Sequence, residues 1–301
     1  MQRLDPALAA SAITLFTGIL WGAYWLPVRE LAELGYPGSW GTLAITATTA
    51  AILLPFVIAR RKTFVQADIL TLAGIALGGV AFALYSISFL YGRVGIIILL
   101  WFFSPLWSVL IGRFVMGWET PAHRFVAVLL GIVGLSVLLG AGGDAPLPQG
   151  CGEWMSLAGG VLWSVSTTMI RVRRPVTAVE AAFMFALGAS IACIVASLFL
   201  QDAPVMPTGN AVKALGIVVG TALLWWAFSV MALLWAATQI DPTRVSLLLM
   251  SEVLVGAATA SLIAAERLHT HEMIGGGLVL VAGLLEVLPR KRVNEEGDVS
   301  G

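Results

Sequence analysis

Gly18-Ile19-Leu20-Trp21, with Arg29 eight residues after the tryptophan, recurs 142 positions further on as Gly160-Val161-Leu162-Trp163, with Arg171. No gap is needed between the two copies. A weaker echo pairs Trp118-Glu119 with Ala265-Glu266, at an offset of 147. A chain that repeats itself in this way folds as two related halves. In a membrane protein, such halves can exchange conformations and open a shared site to either side, which is the logic of a transporter.

The composition places the chain in a membrane. It is 59% hydrophobic and only 11% charged, against roughly 25% charged residues in a soluble domain. The mean hydropathy is +0.94. Ten apolar runs are of the length that crosses a hydrocarbon core as helix, about 20 residues. They cover 8–28, 38–58, 68–90, 95–116, 122–140, 153–170, 178–200, 212–236, 243–264 and 271–289. The first runs past the length of a signal peptide and carries the repeated tryptophan, so it is expected to be a retained helix. Cys151 and Cys193 have neither a partner nor metal-ligand spacing. The net charge is zero, and no basic stripe points to nucleic acid.

Charge bias orients the spans. With the N-terminus inside, thirteen Lys and Arg fall on the inner face and four, Arg29, Arg93, Lys213 and Arg267, on the outer. Both termini are therefore expected in the cytoplasm, in a bacterial-type inner membrane. Five spans per half is an odd number, so the second half enters from the opposite face. The expected fold is all-α and polytopic: ten transmembrane helices as two five-helix repeats of inverted topology. Its units are a first repeat over 1–141, a periplasmic linker over 142–152, a second repeat over 153–289 and a cytoplasmic tail over 290–301.

Several motifs resemble one family. Gly18-Ile19-Leu20-Trp21-Gly22 is similar to the opening of EamA-type domains of the drug/metabolite transporter superfamily. Ser104-Pro105-Leu106, Gly117-Trp118-Glu119, Gly131 and Gly134 resemble that family's later pattern. Ser251-Glu252-Val253, Ala265-Glu266-Arg267, Gly276 and Gly283 do so in the second half. Within the superfamily the Trp-rich first half is most similar to the YddG-type exporters of aromatic amino acids. The resemblance implies that helices one to four and six to nine surround a cavity, braced by five and ten. One departure stands out: Val253 replaces the proline usual in the ninth helix. The glutamates align at 147 and the proline position at 148, so the mate of Glu252 is either Ser104 or Pro105.

Glu252 is the one acidic residue near the middle of a span. A carboxylate at the bilayer centre is costly and must face a cavity or a partner; it could bind a substrate amine, carry a proton, or simply be hydrogen-bonded between helices. Of eleven tryptophans, Trp21, Trp101, Trp163 and Trp225 or Trp226 lie deep, and the repeat mates Trp21 and Trp163 suit the two sides of an aromatic pocket. Equally, such rings fill gaps beside glycine. Tyr85, Ser104, Thr167, Ser246, Met250 and Ser251 are candidates to meet the polar ends of a substrate, although Ser and Thr in lipid often bond their own helix. Pro27 and Pro105 are expected to kink their helices as hinges. Gly18/Gly22, Gly74/Gly78 and Gly216/Gly220 form GxxxG pairs, which serve as packing seams. Arg29, Arg93, Glu119 and Glu266, at span ends, read as snorkelling or ion-paired residues. His269, His271 and Glu272 sit in a loop without a second ligand set, so no metal is expected. No hydrolase, protease, nucleotide or dinucleotide motif is present, so neither an enzyme nor a cofactor is expected. The expected function is alternating-access export of amino acids, aromatic and apolar ones first, with broad drug or metabolite export as the alternative; an intramembrane enzyme is disfavoured by the lack of paired deep ionisable residues, and a passive scaffold by the inverted repeat. Partners are then the lipid bilayer and the small-molecule substrate, with a homodimer left open.

Overall fold

The structure is a computed structural model, described here for residues 6–65, 67–119, 122–139, 147–171, 176–200, 203–204, 210–240 and 242–287. The tail over 290–301 and residues 142–146 of the linker between the halves lie outside the described residues. Within them, ten helical spans follow the ten apolar runs. They are α1 (Pro6–Glu33), α2 (Trp40–Ala59), α3 (Ile69–Ser88), α4 (Val94–Phe114), α5 (Ala122–Leu139), α6 (Cys151–Arg171), α7 (Ala178–Leu200), α8 (Ala211–Ala236), α9 (Pro242–Leu249 continued by Ser251–Leu262) and α10 (Thr270–Val287). Six of them, α1 to α4, α7 and α8, are each long and apolar enough to cross a membrane. The chain is thus an all-helical polytopic membrane protein.

The halves interlock. Within each half, neighbouring helices touch little. Instead α3 packs along α6 and α7, and its repeat mate α8 packs along α1 and α2. In the same way α4 lies on α6, and its mate α9 lies on α1. The remaining principal contacts, α2 with α7 and α5 with α10, join mates to each other. This reciprocal exchange is what a pseudo-two-fold axis between the repeats requires. It sets α5 and α10 to one side of the other eight helices.

Small residues make the exchange possible. A Cβ on Gly22 would stand 2.9 Å from the Gly256 amide of α9, and one on Gly74 would stand 3.1 Å from Cβ of Met169 on α6. Two of the three GxxxG pairs therefore sit at helix crossings. The third does not: Gly216 and Gly220 face open space, with nothing within 4 Å of where a Cβ would be. That face of α8 has no helix against it, so the seam expected from spacing alone is absent there.

The repeat is not copied everywhere. α1 is interrupted at Ala23 and Tyr24, whereas α6 runs unbroken from Cys151 to Arg171. α3 is regular, whereas α8 widens into a π-helical stretch at Ala222–Phe228. Only the fourth helices of the halves, α4 and α9, break alike.

Candidate functional site

Three helix breaks surround the centre of the molecule. Pro27 has no N–H to give the Ala23 carbonyl, and its ring crowds that carbonyl out of the regular ladder. The chain closes a tighter turn instead, with the Leu26 amide donating to Ala23 at 3.1 Å. Pro105 acts in the same way on α4, whose ladder gives way at Phe102 and Phe103. α9 breaks at Met250 without any proline: the Val253 amide donates to the Met250 carbonyl at 3.1 Å, and the Met250 amide to Leu247 at 3.3 Å. Gly18 and Gly22 bring the α1 backbone directly against this break.

The ends of α4 and α9 settle the register of the repeat. Trp118 donates its amide to the Gly112 carbonyl at 2.9 Å, and Glu266 to Ala260 at 3.0 Å. Both pairs differ by 148, as do Gly117 and Ala265, which share a left-handed backbone (φ 68° and 53°). Glu252 is therefore the mate of Ser104, and Glu266 is the mate of Trp118 rather than of Glu119. The offset of 147 suggested by the matching glutamate letters is corrected by this geometry.

Between the breaks, aromatic rings fill the centre. Phe82 of α3 is their hub, with centroids 5.5 Å from Trp21, 5.4 Å from Tyr24, 5.6 Å from Tyr85, 6.0 Å from Trp101, 5.9 Å from Phe185 and 5.2 Å from Trp226. Trp101 stacks on Tyr85 at 4.5 Å and 19°, and Trp163 lies 5.5 Å from Trp101. The repeat mates Trp21 and Trp163 thus approach the cluster from opposite helices, one through Phe82 and the other through Trp101 and Phe185. These rings pack on one another in offset and edge-to-face contacts, each worth about 0.5–1.5 kcal/mol beyond area burial.

Polar groups within the cluster are few and nearly all paired. Glu252, only 2% exposed, accepts a hydrogen bond from the Tyr85 hydroxyl at 3.0 Å. The Trp21 indole donates to Ser229 at 3.0 Å, and the Trp25 indole to Thr259 at 3.0 Å. Ser86 and Trp226 both donate to the Tyr24 hydroxyl, at 3.1 and 3.0 Å. Each of these bonds crosses between helices, and those of the indoles and of Tyr85 cross between the halves.

The candidate residues from the sequence separate into two groups. Trp21, Tyr85, Trp101, Trp163 and Glu252 come together around the cluster. The hydroxyls do not add to it: Thr167 donates to the Trp163 carbonyl at 2.9 Å and to Ser164 at 3.1 Å, and Ser251 to Leu248 at 2.8 Å. Ser104 contributes its carbonyl, which accepts from Ser164 at 2.6 Å. Met250 is half-buried at the α9 break, and the side chain of Ser246 lies outside the described residues. Tyr24, Phe82 and Phe185 were not among the candidates. Phe82, Tyr85 and Phe89, spaced three and four residues apart, form one helical stripe, and Trp21 and Tyr24 lie one turn apart; that spacing was the available signal.

One end of the molecule is held by charges. Arg29 pairs with Glu266 at 3.3 Å and donates to the carbonyls of Phe89 and Gly92, each at 3.0 Å. The Glu266 carboxylate also accepts the amides of Val94 and Gly95, at 2.9 and 3.2 Å, and so caps α4 from the other half. Arg93 pairs with Glu272, and Lys213 with Glu30. Since the His269 amide also donates to Glu272 at 2.8 Å, the His269–Glu272 cluster is the ion-paired start of α10. Glu119 is exposed.

Residues 150–287, the second repeat, match the sequence profile of the EamA-like transporter family. A solved structure titled "Crystal structure of protein" is similar to the chain, with a TM-score of 0.58 and 19% identity over 92% of this chain and 95% of that one. At that identity the likeness is one of fold. A comparison with curated proteins finds no match. The second half of the chain is thus similar in sequence to a family of membrane transporters.

Proposed function

We propose that the protein exports small amine-bearing molecules, aromatic and apolar amino acids among them, across a bacterial-type inner membrane by alternating access. The observation that carries this reading is the ring cluster around Phe82, edged by the Tyr85–Glu252 pair at the α9 break. Flat rings offer stacking to a flat side chain, and a desolvated amine needs an acceptor such as Glu252. Trp21, Tyr85, Trp101 and Trp163 form the ring surface, while Ser104, Ser246, Met250 and Ser251 lie on the two helices that break alike. Pro27 and Pro105 serve as the hinges. The resemblance of the Trp-rich first half to YddG-type exporters supports the same substrates. The charge bias supports cytoplasmic termini, with the Arg29–Glu266 end facing outward.

Broad drug or metabolite export is the second reading, favoured by the scarcity of polar groups in the cluster. Uptake of labelled tryptophan, phenylalanine and lysine into proteoliposomes distinguishes them. The amino-acid reading expects flux of the first two well above lysine. Flux of planar drugs with none of the three amino acids would replace it with the second reading.

A further inference from the structure

Resting on that reading, we propose that the site is selective for charge: it takes an aromatic ammonium cation in preference to the zwitterionic amino acid of the same ring. The juxtaposition behind this is a buried carboxyl beside stacked rings, with no buried base to match it among the described residues. Glu252 is 2% exposed and its hydrogen bond comes from Tyr85, itself fully buried and stacked on Trp101. Among the described residues, every Lys, Arg and His lies in a loop or near an end of a span. Arg29 and Arg93 are engaged at the end of the molecule by Glu266 and Glu272.

An ammonium group seated beside Glu252 is matched by the carboxyl and by the faces of Tyr85 and Trp101, which attract cations. The carboxylate of an amino acid in the same position meets a second carboxyl and the negative faces of the rings. Desolvating it without a cation is unfavourable. Seating the substrate exchanges ring–ring contacts of the Phe82 cluster for ring–substrate contacts of the same kind, so the aromatic part binds alike in both molecules. The charged end decides between them.

Three indoles separate the outcomes: tryptamine carries only the ammonium, tryptophan both charges, and indole-3-propionate only the carboxylate. Proteoliposomes containing the full chain are given each in labelled form, and each as competitor of the others. The proposal expects tryptamine to half-saturate transport at a concentration about tenfold or more below tryptophan, with indole-3-propionate weakest. Glu252→Gln keeps an acceptor for Tyr85 and is expected to erase the tryptamine advantage. Tyr85→Phe keeps the carboxyl, and with it the preference, at a reduced rate. Tryptophan moved as well as tryptamine by the wild type would overturn the charge proposal and leave the amino-acid reading standing; backbone amides freed at the helix breaks would then be what meets the carboxylate. No flux of any indole would overturn the amino-acid reading itself.

Discussion

Ala265 holds a left-handed backbone, φ 53°, at the position where its repeat mate Gly117 sits at 68°. A Cβ in that conformation crowds the following carbonyl and costs about 1–2 kcal/mol. The turn persists because the bond from the Glu266 amide to Ala260 and the capping of α4 by Glu266 fix the chain on both sides. Ala265→Gly is therefore expected to stabilise the protein by about 0.5–1 kcal/mol after the added freedom of the unfolded glycine is counted. Gly117→Ala is expected to destabilise it by a similar amount. Thermal unfolding of the purified protein in detergent checks both; equal midpoints for all three proteins would mean that neither turn is held in the left-handed conformation. The same residues show where reading letters goes astray. Glu119 and Glu266 look like mates because the letters agree, whereas the backbone pairs Glu266 with Trp118. The deep tryptophans and Glu252 could be read from the sequence, since large rings and a carboxyl are unusual mid-span. Phe82 is marked in the sequence only by its spacing with Tyr85 and Phe89, because one phenylalanine among thirteen becomes a hub only once helices from both halves converge on it.

At the scale of helices, the breaks in α1 and α4 were legible because proline removes a donor and blocks a carbonyl. The break in α9 was not, since Val253 stands where proline would be expected. Its cause is tertiary: the Gly18/Gly22 face of α1 packs on the backbone at Leu248, Glu252 and Gly256. Because the ladder is already interrupted at Met250, proline should be tolerated at 253. Val253→Pro forfeits the bond from the Val253 amide to Met250 and is expected to cost about 1 kcal/mol. In an unbroken helix interior the same change costs about 3 kcal/mol. Comparison with Val161→Pro in the continuous α6, by thermal unfolding, tests the difference. Equal losses would place the α9 break elsewhere. The π-helical turns of α8 were likewise invisible in the sequence. They present adjacent Trp225 and Trp226 to the same helix, one donating to the Leu20 carbonyl at 2.6 Å and the other to Tyr24.

For the whole molecule, the repeat foretold two halves but not how they lie. They do not stand side by side as domains. The third and fourth helices of each half lean on the first two of the other, so a rearrangement in one half is transmitted to its mate through shared packing. The breaks in α1, α4 and α9 meet at the ring cluster, and the Arg29–Glu266 and Arg93–Glu272 pairs tie the halves at one end. In the proposed mechanism, opening that end parts those pairs while the rings keep hold of the substrate. A single site opened alternately in this way must carry substrate in both directions. The direct test is counterflow: proteoliposomes loaded with unlabelled tryptophan are diluted into a trace of labelled tryptophan. Alternating access predicts that loading speeds entry of label and drives its transient accumulation above the external concentration. Entry that is indifferent to loading and never exceeds equilibrium would contradict a central, alternately exposed site.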